Sequence, residues 1–372
     1  MTRTMSNPQL KLISWNIERS SIDRLGDQLR ALNQRIPDII ALQEFGIKAG
    51  RQARELLRKH GFEYAAHSHE FNPGAGDNSS GIAFASRWPF RVLSPDTFDM
   101  PYQHHALSAE FYTPFGRIEG HSVHVLPGSM FGIEKIEMFE GIYQRLVADD
   151  NHPEYRFLCG DFNSPKEESA SGEVTVWGSE NRWIEGERSV IVGLAEHDLA
   201  DAYRTVNGYG DNAYSFVTKN GDNEWRRRFD HMFASEALDP TTAEYLHQYD
   251  ELSDHTPLEV IFTPEGGIKP HTDEIIREQF NPENITSTSG QLASIDGLHY
   301  QEDIRTTNPN SSHQGAFKSG WTKAVNGESM GDALDSLTWY NLGWRLGMLF
   351  GEVTNEQKQA LYEWCVRTQS EN

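Results

Sequence analysis

Cys159-Gly160-Asp161-Phe162-Asn163-Ser164-Pro165, preceded by Arg156-Phe157-Leu158, is the stretch that decides how this chain is read. Arg156 to Leu158 reads as the end of a buried strand. The apolar run then stops on a carboxylate, an aromatic, a carboxamide and a proline. Strand tips that carry polar groups into a cleft are where open α/β sheets keep their chemistry. Asp161 and Asn163 are two residues apart, so on extended backbone they face the same side. That pairs a base or ligand with an amide that both donates and accepts. Gly-Asp and Asn-Ser-Pro also describe an ordinary turn, so the stretch takes its meaning from the rest of the chain.

At 372 residues, with 37% hydrophobic and 11% aromatic residues, the chain has material for a proper core and length enough for two domains. Its 55 acidic against 33 basic side chains give a formal net charge of -22. That excludes broad electrostatic adhesion to nucleic acid or anionic membrane, while leaving room for a local basic groove or a carboxylate metal site. Cys159 and Cys365 cannot make a disulfide framework. No run approaches transmembrane length, and the N-terminal MTRTMSNPQLKL has no apolar signal region. The expectation is a cytoplasmic protein without membrane attachment.

Leu10 to Ile17 alternates as a strand, and Ile22, Leu25, Leu29 and Leu32 predict a helix from about Asp23 to Arg35. Asp38 to Glu44 reads as a short buried strand with a carboxylate at its tip, and Gln52 to His60 as a second helix. Strands follow at Phe62–Ala66, Gly81–Ala85, Ala106–Tyr112 and Gly116–Val125, then a helix over Ile133–Ala148. The excursion from Pro165 to about Gly193 reads as a functional loop or lid. Strand signals return at Tyr214–Val217, Arg227–Ala234 and Thr256–Thr263. Pro264 to Pro270 is a linker by composition, dividing residues 1–264 from a C-terminal segment, 265–372. Within that segment 281–312 is polar and loop-like. Leu334 to Gly351, and the stretch after the capping pattern Thr354-Asn355-Glu356-Gln357, predict helices. Gly343 and Gly347 would let another helix approach closely, so a packed helical appendage or a homo-oligomer surface is expected there.

Five stretches place a polar group at or near the end of an apolar strand: SWNIE with Asn16, ALQEF with Glu44, HSVHV with His124, CGDFNSP with Asp161 and Asn163, and the pair RRRFDHMFAS and LSDHTPL with Asp230, Asp254 and His255. Each alone has a plain structural explanation: a helix cap, a surface carboxylate, a satisfied strand histidine, a turn. Their order along the chain does not. In that order they resemble the endonuclease/exonuclease/phosphatase superfamily, the DNase I-like metal-dependent phosphoesterases, over about residues 9 to 263.

The resemblance implies a four-layer α/β/β/α sandwich, two facing sheets with helices outside and the site at one edge. It also implies the roles. Glu44 would be the principal metal ligand, Asn16 would touch metal or phosphate, and Asp254 would join the metal and water network. His255, paired with Asp230, would contact the scissile phosphate or move a proton. Asp161 and Asn163 would position and activate the attacking water, and His124 would contact the phosphate or act as acid. Whether Asp161 or His255 is the general base stays open. Oxygen ligands without a Cys/His cluster select a hard ion, so Mg²⁺ or Mn²⁺ is the expected cofactor.

Subfamily features lean toward a nuclease acting on nucleic acid. His124 precedes Leu126-Pro127-Gly128 where exonuclease III-type AP endonucleases carry a Tyr before Pro-Asn-Gly. CGDFNSP and Arg228-Phe229-Asp230-His231 also miss the motifs of the inositol-polyphosphate 5-phosphatases. Trp225 with Arg226, Arg227 and Arg228 is a candidate phosphate-binding edge and stacking platform, against the plain reading of a strand face in solvent. The acidic chain keeps a second reading open: a phosphatase or phosphodiesterase of a nucleotide, inositol phosphate or lipid head group. A third is an inactive scaffold.

Overall fold

The computed structural model describes residues 9–46, 79–148, 152–220, 223–267 and 311–326 apart from a few single positions, with parts of 53–70 and scattered positions between 339 and 363. The strands are Leu10–Asn16 (β1), Ile39–Gly46 (β2), Tyr64–His67 (β3), Ser80–Ser86 (β4), Phe90–Val92 (β5), Ala106–Thr113 (β6), Gly116–His124 (β7) and Arg156–Asp161 (β8). They continue as Glu167–Glu168 (β9), Val174–Thr175 (β10), Ala200–Asp201 (β11), Phe216–Asn220 (β12), Asn223–Arg227 (β13), Asp230–Ala234 (β14), Pro240–Tyr245 (β15) and Leu258–Phe262 (β16). Two six-stranded sheets result, ordered β15-β16-β1-β2-β4-β3 and β11-β14-β8-β7-β6-β5.

Both faces of each sheet are covered, so the central strands are apolar on both sides. In β1, Leu10 and Leu12 join the core between the sheets, with Phe84, Phe111, Phe157, Met232 and Val260. Its alternate residues Ile13 and Trp15 face outward onto Leu25, Leu29 and Leu32 of helix α1 (Ile22–Arg35). Ser21 caps that helix by accepting the Arg24 N–H. The second sheet is covered by α2 (Glu134–Val147) and α3 (Asn181–Ile191), through Ile136, Phe139, Ile142, Val190 and Ile191 against Val123, Leu158 and Phe233. The layers are therefore helix, sheet, sheet, helix, as expected. Helix α3 lies where a loop or lid was expected. Its buried face includes Gly186 and Glu187, which break the apolar stripe that would have announced it.

Topology puts the functional tips together. β1 and β2 run parallel at the centre of one sheet, and β7 and β8 run parallel at the centre of the other. β16 is antiparallel to β1 and β14 is antiparallel to β8. The ends of four strands and the starts of two thus open at one edge of the sandwich. Beneath that edge Gln43 spans the interface, its Nε2 donating to Ser14 Oγ (3.1 Å) and Ser122 Oγ (2.9 Å).

Only part of the C-terminal segment is described. Ser311–Val325 (helix α4) was not expected, and it buries Phe317, Trp321 and Ala324. A Cβ on Gly343 would lie 2.0 Å from Phe317 O, and one on Gly347 would lie 2.9 Å from Trp321 Cα. The close approach foreseen for these glycines is thus made by the chain's own helix. The expected helix over 52–60 is described only at scattered helical positions, among them Ala53 and Leu57; 281–310 lies outside the described residues.

Gly160 decides how close β7 and β8 come. It has φ 139°, and a Cβ there would sit 1.9 Å from Val123 O. Gly160→Ala should cost more than about 2 kcal/mol of unfolding free energy in urea denaturation. A loss below about 0.5 kcal/mol would contradict that packing.

Candidate active site

Asn16 ends β1, almost fully buried. Its Nδ2 donates to Asp161 Oδ2 at 3.0 Å and lies 3.5 Å from Glu44 Oε1, while its Oδ1 accepts the Glu18 N–H. Glu44 sits at φ 56°, where the pairing of β2 with β4 shifts register between Leu42 and Phe45. A non-glycine residue held there costs about 1–3 kcal/mol, and such irregularities re-aim a side chain. Here the carboxylate is aimed at Asn16 and at His124 Nε2, 3.8 Å away. Asp254 is an exposed residue whose carboxylate nonetheless loses solvent in the cleft. Desolvation raises its pKa, His255 pulls it back, and Glu18, Glu44 and Asp161 raise it further. Four carboxylates crowding one place favour a cation among them.

Asp161 ends β8 and Asp230 begins β14, and the two are direct partners across the ladder. His255 lies against both. Its Nδ1 is 2.7 Å from Asp230 Oδ2, and its Nε2 is 3.7 Å from Asp161 Oδ2. Burial lowers the His255 pKa, but the charges of Asp230 and Asp161 outweigh it and bring it up to about 10. His255 is therefore an imidazolium at neutral pH, donating from Nδ1. Asp161 is raised, chiefly by burial and then by Asp230, against the pull of His255 and His124. His124 Nε2 is 3.6 Å from Asp161 Oδ2, and burial holds this imidazole below its ordinary pKa. The His255 main chain is fastened from β1, since Trp15 Nε1 donates to His255 O at 2.7 Å. Ser253 Oγ donates to Asn16 O at 2.7 Å.

The turn after Asp161 is held from below. Asn163 has φ 48°; its N–H donates to Asp161 Oδ1 (2.8 Å) and its Nδ2 to Val125 O (2.9 Å). The buried Lys135 ammonium donates to Asn163 O at 2.9 Å and pairs with Glu187 at 3.2 Å. Glu187 also accepts from Trp183 Nε1 and Ser164 Oγ. Breaking a buried ion pair of this kind typically costs about 3–5 kcal/mol, so the loop that carries Asn163 is rigid by construction.

The sequence from residue 13 to residue 255, which takes in every one of these strand-tip groups, matches the model of the Endonuclease/Exonuclease/phosphatase family. The chain belongs to that family. Among solved structures it is similar to an AP endonuclease from Archaeoglobus fulgidus and to a 3' phosphatase from Neisseria bound to a product DNA hairpin. Each has a TM-score of 0.52 and 19% identity over 68% of this chain and 99% of the other. An endonuclease/exonuclease/phosphatase from Beutenbergia cavernae DSM 12333 has a TM-score of 0.50 at 19% identity, over 70% of this chain and 72% of that one. At such identity the likeness shows the shared fold. No curated protein sequence matches the chain significantly.

The strand-tip residues singled out in the sequence, Asn16, Glu44, His124, Asp161, Asn163, Asp230, Asp254 and His255, all meet at this edge. The Arg226–Arg228 run divides. Arg228 is buried, and its guanidinium is taken by Glu168 and Asp201, so it is a structural ion pair and not part of a substrate edge. Arg226 is exposed over Tyr214, and Arg227 lies over the Trp177 ring. Trp177 is 45% exposed and donates to Asn163 O, which places that ring at the mouth of the site. Arg19, 3.6 Å from Glu44, and the Lys135–Glu187 pair also belong to the site's surroundings. Asp161, Asp230 and His255 are the described group whose ligand atoms lie within 4.8 Å of one another, so the site contains a buried Asp–Asp–His cluster.

In metal-free protein, NMR of the His255 ring should show it protonated well past neutrality, releasing its proton near pH 10. Folding raises this group above its ordinary 6.5. Its stabilising contribution is therefore whole below about pH 6.5 and is lost as pH climbs toward 10. Asp230→Asn should bring the titration down. A wild-type ring titrating near 6.5 would contradict the pairing.

Proposed function

We propose that the chain is a Mg²⁺- or Mn²⁺-dependent phosphodiesterase, a nuclease in its substrate class. The observation that carries the reading is the line Asp230–His255–Asp161 facing the Asn16 carboxamide and, beyond it, the Glu44 carboxylate. Glu44 and Asp254 suit a hard cation, since both offer carboxylate oxygen and repel one another without one; the Asn16 carboxamide lies beside them, to touch the ion or the phosphate. A bound ion there would neutralise a phosphate oxygen as charge builds on it.

The remaining work belongs to the side chains. Asp161, raised by burial, is the group to take the proton of the attacking water, and Asn16 and Asn163 fix its orientation. The water oxygen bonds to phosphorus as the ester P–O bond breaks. His255, already cationic, offers its Nε2 proton to the departing oxygen and recovers it from Asp161. Asp230 holds the imidazole in the tautomer and charge this requires. That division favours Asp161 over His255 as general base. His124, neutral and beside Asp161, is a hydrogen-bonding partner for phosphate.

Nucleic acid is favoured by the aromatic and cationic rim. The exposed Trp177 is joined through the buried Phe229 and the half-buried Phe216 to His255, with Arg227 over Trp177 and Arg226 nearby. Such surfaces stack bases and meet phosphates at about 1–3 kcal/mol per base. The overall charge of -22 favours the second reading, a small nucleotide, inositol or lipid phosphate substrate.

Purified protein with Mg²⁺ or Mn²⁺ should cleave single-stranded DNA and bis-p-nitrophenyl phosphate, and EDTA should stop both. His255→Ala should lower turnover by about 10²-fold or more with folding retained. Cleavage confined to small phosphoesters would replace the nuclease reading with the second one. Inactivity with every divalent ion would leave a binding protein.

A further inference from the structure

The chain turns sharply between β1 and helix α1, and the turn aims a cation at the oxygen face of the site. Glu18 and Arg19, the residues of the turn, stand at φ 51° and 46°. Neither is a glycine, and each residue held in that region costs about 1–3 kcal/mol. Hydrogen bonds keep the turn there. The Glu18 N–H donates to Asn16 Oδ1 at 3.1 Å, and the Ile17 carbonyl accepts from Ser20 Oγ at 2.5 Å and from Gln28 Nε2 at 3.3 Å. The Glu18 carboxylate pairs with Arg24, whose Nε donates to Leu252 O at 2.9 Å.

What the turn presents is the Arg19 guanidinium. Its Nε lies 3.6 Å from Glu44 Oε2, and its side chain is 64% exposed. That separation is too long for a hydrogen bond, and an exposed ion pair contributes only about 0–1 kcal/mol. The pair does not offset the strain of the turn that presents it. A guanidinium also carries five N–H donors, so Arg19 keeps donors to spare for a ligand.

Arg19 stands at one end of a row of charges that crosses the site. From Glu44 the row passes to His124, with Nε2 3.8 Å from Glu44 Oε1, then to Asp161 at 3.6 Å and to His255 at 3.7 Å. The Arg19 charge reaches into the cleft, where it helps hold down the pKa of both His124 and His105. Cations thus close the row at both ends, imidazolium at one and guanidinium at the other. Between them lie two carboxylates and a neutral imidazole, which alone would repel a phosphate. A guanidinium is planar, permanently charged and matched to two phosphate oxygens at once.

We propose that Arg19 clamps a non-bridging phosphate oxygen of the substrate on the Glu44 side of the site, and that in metal-free protein it serves Glu44 as the counter-ion that a divalent ion replaces. The clamp belongs to the phosphoesterase reading above and rests on it. Once Glu44 is neutralised, its pull on Arg19 is gone, and the guanidinium faces the phosphate oxygens instead. Arg19 therefore opposes metal binding slightly and favours phosphate binding strongly.

Two titrations of the full-length protein read these opposed effects. Mn²⁺ binding to metal-free protein is followed by calorimetry. Inorganic phosphate binding to the Mn²⁺-loaded protein is followed by broadening of the phosphorus NMR line. Arg19→Ala should tighten Mn²⁺ about 3-fold, through loss of an exposed cation beside its ligand. It should weaken phosphate about 10-fold or more, through loss of a charge-assisted hydrogen bond. Arg19→Lys should restore the wild-type Mn²⁺ affinity but only part of the phosphate affinity, because an ammonium lacks the fork. A structural role would move both affinities the same way. Unchanged or weaker Mn²⁺ binding in Arg19→Ala, unchanged phosphate affinity in it, or no phosphate binding by Mn²⁺-loaded wild type would overturn the proposal. Bis-p-nitrophenyl phosphate offered to the same wild-type sample tests the underlying reading separately. No turnover, with phosphate still held through Arg19, would sink the phosphoesterase and leave the clamp standing.

Discussion

Two buried carboxylates, Asp161 and Asp230, face each other across the antiparallel ladder of β8 and β14, and the site depends on what stands between them. Left alone they would repel, and burial would drive one or both to the neutral acid. The His255 imidazole resolves this by bonding to Asp230 through Nδ1 and turning Nε2 toward Asp161. One cation serves two anions, and its own pKa climbs to about 10 in consequence. Asp161 remains the carboxylate with capacity to spare for a substrate-derived proton.

The sandwich exists to hold that arrangement open on one side. Parallel pairs at the centre of each sheet send Asn16, Glu44, His124 and Asp161 to the same edge, and antiparallel neighbours return Asp230 and His255 to it. Strain is concentrated at the tips, with Glu44 and Asn163 both at positive φ. Supporting polar groups hold those tips in place: Gln43 between the sheets, Lys135 and Glu187 under the Asn163 turn, and Trp15 on the His255 carbonyl. Each is buried and partnered, so the strain is opposed by hydrogen bonds that water cannot replace.

The strand tips were legible in the sequence because an apolar run that ends abruptly on Asp, Asn or Glu is visible without knowing what lies opposite. The sandwich was implied by the family resemblance that those tips, in that order, carry. The supporting shell was not legible, for a physical reason. Lys135 and Glu187 lie on different helices and read as ordinary surface charges until α2 and α3 are packed together. For the same reason α3 was taken for a loop. Arg228 looked like its neighbours Arg226 and Arg227, yet it lies past the end of β13, where the partners Glu168 and Asp201 hold it inward. His69 lies on one turn and His104 and His105 on another, and nothing local announces that the two turns come into contact.

Two groupings at this edge compete as the place for the catalytic ion: the open oxygen face of Asn16, Glu44 and Asp254, and the buried cluster of Asp161, Asp230 and His255. In the cluster, Asp230 Oδ2 is already bonded to the imidazole; in the function proposed above that pair handles protons and the metal takes the oxygen face. Anomalous diffraction from crystals grown with Mn²⁺ separates them most directly. The expected result is a peak among Asn16, Glu44 and Asp254 with the Asp230–His255 bond intact. A peak seated between Asp161, Asp230 and His255, or none beside Glu44, would contradict it.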